Sequence, residues 1–249
     1  MDRSTPSISP LGACTPLASE TAAVIIDRVR LLAALLVVAF VVFLPPAAAA
    51  QDLRGAVDIG QRTGALTDHF DFVPAAEGAQ PPWALVEDAT ATGGVALAQR
   101  GAPTAAGHSL AVYKPTSVEN AEISVRIKAT GGEEDQGGGI ALRLTAPDTY
   151  YLVEMDARRD RVVFLRVANG EAEEIIAVEA DIATDAWHTL TVRAVDDEFV
   201  VSLDGVWAFT AFDKVLSHAG RVALWTSTDS VTLFDSITIA PPSPSAQQW

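Results

Sequence analysis

Apolar and polar residues alternate with a period of two along most of this chain. In "AEISVRIKA", Ile123, Val125 and Ile127 fall on one face, and Glu122, Ser124, Arg126 and Lys128 on the other. "HTLTVRA" sets Leu190, Val192 and Ala194 against Thr189, Thr191 and Arg193. "EFVVSLDG" alternates Phe199, Val201 and Leu203 and then meets Asp204-Gly205, a strong hairpin signal. "VWAFT", "GRVALWT" and "SVTLFDSITI" continue the pattern. Turn signals recur about every 8–12 residues, and no helix of convincing length is predicted. One-sided alternation over many short strands predicts two antiparallel sheets packed face to face.

One hairpin raises a chemical question. "GGIALRLT" and "TYYLVEMD" flank a turn at "APDT", Ala146 to Thr149. Pairing Thr145 with Tyr150 places Ile140, Leu142 and Leu144 on the core face with Tyr151, Val153 and Met155. The other face then carries Arg143, Leu152, Glu154 and Asp156. A slip of one residue would bury the carboxylates, and desolvating charge is costly. Arg143, Glu154 and Asp156 are therefore expected as an outward polar cluster. Two carboxylates on one strand face are the minimum equipment for glycoside cleavage.

The pattern bounds one domain at residues 69–240. Residues 51–68 read as a leader of strand or loop. The tail at 241–249, "PPSPSAQQW", is Pro/Ser-rich and reads as disordered. Residues 1–50 form an N-terminal extension and signal. Arg28 and Arg30 precede an apolar run, Leu31 to Leu44, followed by "PPAAAA". A basic flank, an apolar run and an Ala-x-Ala end make a secretory signal, with cleavage expected between Ala50 and Gln51. The run falls short of the roughly 20 residues that span a bilayer comfortably. An uncleaved membrane anchor is the alternative. The residues before Arg28 are more than such a signal needs, and a translation start near Val24 or Val29 would account for them.

Composition narrows the classes. The chain has 249 residues and a formal net charge of −15. A nucleic-acid binder needs a basic footprint, so neither nucleic acid nor an anionic membrane surface is expected as a partner. Cys14 is the single cysteine and lies upstream of the expected cleavage point. No disulfide framework and no thiol nucleophile are expected in the mature chain. His69, His108, His188 and His218 are scattered without zinc-ligand spacing, so no metal site is assigned. Asp135, Asp148, Asp229 and Asp235 offer hard oxygens for calcium, but nothing in their spacing makes them converge. "GGEEDQGGG" is neither a P-loop nor G-x-G-x-x-G, and no G-x-S-x-G elbow occurs.

Five stretches occur in order: "VEDATATGGVALAQ", "EDQGGGIALRL", "PDTYYLVEMDARRDRVVFLRVANG", "WHTLTVRAVDDEFVVSLDG" and "AGRVALWTSTDSVTLFDSI". Together they resemble the concanavalin A-like lectin/glucanase superfamily over about His69 to Ile239. They look most like the branch named for the 3-keto-disaccharide hydrolase domain. The resemblance implies an all-β, concanavalin A-like jelly-roll sandwich that handles carbohydrate. Arg143 and the Asp135-Gln136-Gly137 pattern match that branch, whereas its members carry Arg and Asn where this chain has Glu154 and Asp156. Glucanases of the superfamily use Glu-x-Asp-x-Glu or a version with one more spacer. Here the third position falls on Arg158 or Arg159, so the retaining double displacement lacks its second acid.

Exposed rings stack on the apolar faces of sugars, which makes Trp83, Trp187, Trp207 and Trp225 candidates. Trp187 and Trp225 sit at strand ends and read as packing, while Trp207 follows the Asp-Gly turn and reads as exposed. The face of Phe164 is ambiguous. The candidate carbohydrate-binding residues are thus Arg143, Glu154, Asp156 and Trp207, with no catalytic residue assigned. The first expectation is an exported, periplasmic or secreted carbohydrate-binding domain. A hydrolase of the 3-keto-disaccharide type and a structural or protein-interaction sandwich are the alternatives.

Overall fold

The computed structural model of the chain describes residues 55–58, 69–73, 83–100, 107–227 and 229–244. The chain divides into two units, Met1–Ala50 and Gln51–Trp249, and every described residue belongs to the second. The expected signal at residues 1–50 lies outside the described residues, as do the last five residues of the tail.

The described strands run in chain order as β1 (Gly55–Asp58), β2 (Phe70–Val73), β3 (Trp83–Glu87), β4 (Val95–Arg100), β5 (His108–Val118), β6 (Ala121–Gly131), β7 (Gly137–Ala146), β8 (Thr149–Asp156), β9 (Arg161–Ala168), β10 (Glu171–Glu179), β11 (His188–Val195), β12 (Glu198–Leu203), β13 (Val206–Phe212), β14 (Gly220–Ser227) and β15 (Val231–Ala240). They form two antiparallel sheets. The first has the order β13-β12-β11-β6-β15-β4-β3, with β1 also paired to β15. The second has the order β10-β9-β8-β7-β14-β5-β2. This is the two-sheet sandwich that the alternation predicts, in the jelly-roll form that the resemblance implies. β1 falls within the leader, and the carbonyl of Ser243, at the start of the tail, accepts a hydrogen bond from Arg193 Nε at 2.8 Å.

The alternating apolar residues meet between the sheets. Ile123, Val125, Ile127, Leu190, Val192, Phe199 and Val201 of the first sheet pack on Ile140, Leu142, Tyr151, Val153, Met155 and Phe164 of the second. Tyr151, Phe164 and Phe199 form a close aromatic triad, with centroids 4.7–5.4 Å apart. Such pairs contribute about 0.5–1.5 kcal/mol each beyond their burial. Phe164, ambiguous in the sequence, belongs to this core.

The β7–β8 hairpin keeps the predicted core face but not the predicted register. Pairing Thr145 with Tyr150 would set Ile140 opposite Met155 and Leu142 opposite Val153, and the observed pairs are shifted by two residues. Ile140 pairs with Val153 and Leu142 with Tyr151, and because a shift of two preserves the pleat these residues still share the core face. Between Leu142 and the Ala146–Thr149 closing pair the register shifts. Arg143, Leu144 and Thr145 then stand opposite the single residue Tyr150. Arg143 adopts φ 50, in the left-handed region. The bulge reverses the expected parity. Leu144 joins the apolar cluster on the outer side of the second sheet, with Tyr150 and Leu152. Arg143 turns the other way and is 1% exposed. Its placement beside Glu154 and Asp156 is therefore corrected: it braces the end of the sandwich. Nε donates to Glu119 O and Nη1 to Leu216 O, both at 3.0 Å, and Nη2 donates to Asp196 O at 2.5 Å. The guanidinium lies 5.1 Å from the centroid of the Phe199 ring. Gly220 makes the bulge possible, because a Cβ there would come within 2.3 Å of the Arg143 carbonyl carbon.

Candidate functional site

Glu154 and Asp156 leave β8 on the outer side of the second sheet, since Val153 and Met155 enter the core between them. Glu154 faces Gly139 on β7 and Val163 on β9. Asp156 faces Gly137 and Arg161. The glycines are sterically required here. A Cβ at Gly139 would lie 2.3 Å from Val153 O, so the strands approach too closely for any side chain. Their bareness leaves the two carboxyl groups flanked by backbone on that side.

The two acids have different surroundings. Asp156 is 1% exposed and fully occupied. One carboxylate oxygen accepts from the backbone N–H groups of Arg158 and Arg159, at 3.2 and 3.1 Å. The other accepts from Arg159 Nη1 at 2.9 Å and Arg161 Nε at 3.1 Å. Asp156 therefore caps the β8–β9 turn. Burial alone would raise its pKa, but the hydrogen bonds from Arg159 and Arg161 outweigh it and hold the acid below the ordinary carboxylate value. The sequence reading of Asp156 as a wet-face residue is corrected to a buried turn cap. A charged aspartate tolerates that burial because four donors satisfy it.

Glu154 is half-buried and has no hydrogen-bond partner among the described residues. Burial, and then the negative charges of Asp156 and Asp135, push its pKa up to about 7 against the partial opposition of Arg161 and Arg159. Near neutral pH it exists in both forms, and its protonated form can donate one hydrogen bond and accept another.

Around this carboxyl the turn gathers polar groups. Arg159 bridges Asp156 to Asp135, with Nη1 2.6 Å from Asp135 Oδ1. Asp135 is held in the β6–β7 loop by Asp229, which accepts from the backbone N–H groups of Glu133, Glu134 and Asp135 at 2.7, 2.7 and 3.1 Å. Arg161 also reaches Glu174 on β10, at 3.5 Å. Arg159 and Arg161 are the residues that the sequence reading missed. Their signal was the "RRDR" run, Arg158 to Arg161, one residue beyond Asp156, a charged turn in which Arg159 and Arg161 sit three and five residues from a strand-end acid.

Further along the same face the surface is apolar and closed. Leu110, Val112, Ala141, Tyr150, Leu152, Val167, Ala223 and Trp225 form one buried cluster. His108 stacks on Trp225 with centroids 6.4 Å apart and meets Tyr150 edge-on at 6.0 Å. Burial pushes the His108 pKa below the ordinary imidazole value and that of Tyr150 up to about 12. Trp225 is therefore a packing residue. Solvent meets this face of the sheet at its Glu154 end, where the side chains of Arg159, Asp135 and Arg161 are 47%, 33% and 32% exposed.

The remaining candidates lie elsewhere. Trp207 is 64% exposed, but it stands on β13 of the first sheet, on the opposite side of the sandwich, with Nε1 donating to Thr210 Oγ1 at 3.2 Å. Trp83 is in the core. Trp187 donates to Thr90 Oγ1 and lies between Arg126 and Lys128, which pins the β3–β4 loop to the first sheet. Asp235 accepts from Thr92 N and Arg126 in the same anchorage. Asp148 sits in the β7–β8 turn against Thr149. Among the described residues, no group of three or more His, Cys, Asp or Glu side chains is arranged to hold a metal ion. His188 is bonded to Asp204 at 2.7 Å and to Ala183 O at 3.0 Å, which anchors the β12–β13 turn.

No protein-family profile and no curated protein matches the chain. Solved structures do. The chain is similar to a carbohydrate-binding module, CBM66 from Bacillus subtilis, at 20% identity over 70% of this chain and 97% of that one, with a TM-score of 0.55. It is similar to a native glycosidic hydrolase at 11% identity over 77% and 97% of the two chains, with a TM-score of 0.54. It is also similar to a family GH16 protein of a Bacteroides ovatus mixed-linkage glucan locus, at 10% identity over 74% and 99%, with a TM-score of 0.54. The chain therefore has the concanavalin A-like jelly-roll fold.

Proposed function

We propose that the chain is an exported carbohydrate-binding domain whose ligand contacts lie at the β8–β9 end of the second sheet. The observation that carries this reading is the Glu154 carboxyl. It is half-buried, has no hydrogen-bond partner among the described residues, and stands beside the partly exposed Arg159, Arg161 and Asp135. Forked guanidinium donors next to carboxylate acceptors match the adjacent hydroxyl groups of a sugar, which both donate and accept. The resemblance of the fold to a carbohydrate-binding module supports the ligand class by analogy.

Binding is favoured over cleavage because Asp156 is not free to react. Each of its oxygens already accepts two hydrogen bonds, so it is a poor nucleophile and a poor base. One specific observation favours the hydrolase alternative: a carboxyl poised at about 7 is suited to general acid work. A glycan array combined with an activity screen on glycosides and 3-keto-glycosides separates the two. Binding without turnover, lost in Glu154→Ala, supports the first reading. Turnover that vanishes in Glu154→Gln supports the second. Silence in both assays would leave the structural sandwich.

Export rests on the Arg28/Arg30 flank, the Leu31–Leu44 run and the Ala-rich end before Gln51. The mature chain is placed in the periplasm or medium.

A further inference from the structure

β13 is the outermost strand of the first sheet, and none of the other described strands pairs with its free side. Unpaired strand edges invite pairing with another chain, and proteins usually blunt them with charge, proline or a covering segment. The edge of the second sheet at β10 carries Glu171, Glu173, Glu174 and Glu179. The opposite edges carry Asp71 on β2 and Glu87 on β3. β13, "VWAFTAF", carries no charge and no proline. It also displays most of the large exposed apolar side chains found among the described residues. The five are Leu85, Val206, Trp207, Phe212 and Val215, and three of them belong to β13. Val206 is 70% exposed, and Phe212 matches Trp207 at 64%. In a chain of net charge −15, this neutral strip is where a second copy meets least repulsion.

We propose that β13 is a self-association edge, pairing antiparallel with β13 of a second copy about a two-fold axis near Thr210. An antiparallel pair of identical strands is self-complementary, which is the requirement for a closed two-fold interface. Thr210 faces the outer side, between Trp207 and Phe212. With Thr210 on the axis, Phe212 of each copy stands opposite Ala208 of the other, and the bulge at Ala208 turns the neighbouring Trp207 to the same outer face, where aromatic contacts between strands stabilise sheets. The same register carries Lys214, exposed and without an ion pair among the described residues, toward the Asp204–Gly205 turn of the other copy. Charge complementarity therefore lies at both ends of the strip. The inference is independent of the carbohydrate reading, because β13 and Glu154 lie on opposite sides of the sandwich.

Sedimentation velocity on the full chain tests it, with Thr210→Lys, Thr210→Glu and an equimolar mixture of the two. The wild type is expected as a dimer at micromolar concentration. Each variant alone is expected as a monomer with an unchanged melting temperature, and the mixture is expected to recover the dimer. A second measurement guards against damage by the charges. Thr210→Cys in a Cys14→Ser background should cross-link in air, because directly opposed residues of an antiparallel pair lie about 4.5–5.5 Å apart at Cα, within disulfide reach. Glu173→Cys in the same background should not. A monomeric wild type, association that Thr210→Lys leaves unchanged, or no cross-link through residue 210 would each overturn the proposal.

Discussion

Glu154 and Asp156 share one strand face, two residues apart, yet they are held in opposite protonation regimes. Asp156 has four hydrogen-bond donors, and Glu154 has none among the described residues. Negative charge on the first is part of what keeps a proton on the second. Environments that push two titratable groups apart divide their roles. Here the division leaves one acid to build the turn and one acid available to a ligand.

This divergence has a signature in stability against pH. The folded pKa of Glu154, about 7, lies above the ordinary glutamate value of 4.5. The unfolded chain therefore releases this proton first, and the group lowers stability progressively as pH rises from about 4.5 to about 7. At 1.36 kcal/mol per unit, the full effect approaches about 3 kcal/mol above pH 7. Glu154→Gln should match the wild type at pH 4 and exceed its stability at pH 8, read by urea unfolding at both values. Asp156 has the opposite sign. Its pKa is lowered in the fold, so its contribution is present above the unfolded value of 3.8 and is lost as pH falls through the folded one. Asp156→Asn should destabilise by about 1–3 kcal/mol at pH 7 and lose that difference in acid.

Arg143→Ala should be among the most damaging single substitutions. It leaves the carbonyls of Glu119, Asp196 and Leu216 without their donor at a buried end of the sandwich. The expected loss is about 3 kcal/mol or more by urea unfolding. Arg143→Lys should recover little, because an ammonium cannot reproduce the planar fork. A change below about 0.5 kcal/mol would show that water serves the three carbonyls equally well.

Export predicts an N-terminus at or near Gln51 when the secreted or periplasmic protein is sequenced. An intact N-terminus in a membrane fraction would show an uncleaved anchor instead.

The sequence made the strands legible because burial on one side imposes period-two alternation, as β6, β11 and β12 demonstrate. It made the core face of β7 and β8 legible for the same reason, but not their register, because a shift of two residues leaves the alternation unchanged. It did not reveal the bulge at Arg143. Nothing in "LRLT" announces it, since the bulge answers to partners far along the chain: Gly220 packed on the Arg143 backbone and carbonyls on three other segments. Alternation also assigns faces without assigning sheets. Trp207 could therefore be read as exposed, but its separation from Glu154 depends on strand order, which the pattern does not encode. Asp156 was misplaced because a charged side chain was equated with a wet one. The arginines that allow its burial were present three and five residues on.

The central claim is that Glu154 contacts carbohydrate without cleaving it. The most direct measurement is calorimetric titration, with the best glycan from an array, of wild type, Glu154→Ala and Trp207→Ala, alongside product analysis of the wild-type mixture. The account predicts binding by wild type and Trp207→Ala, affinity at least about tenfold weaker in Glu154→Ala from the loss of a hydrogen bond worth about 1.5 kcal/mol or more, and intact glycan throughout. Equal affinity in Glu154→Ala and wild type, or cleavage of the glycan by the wild type, would contradict it.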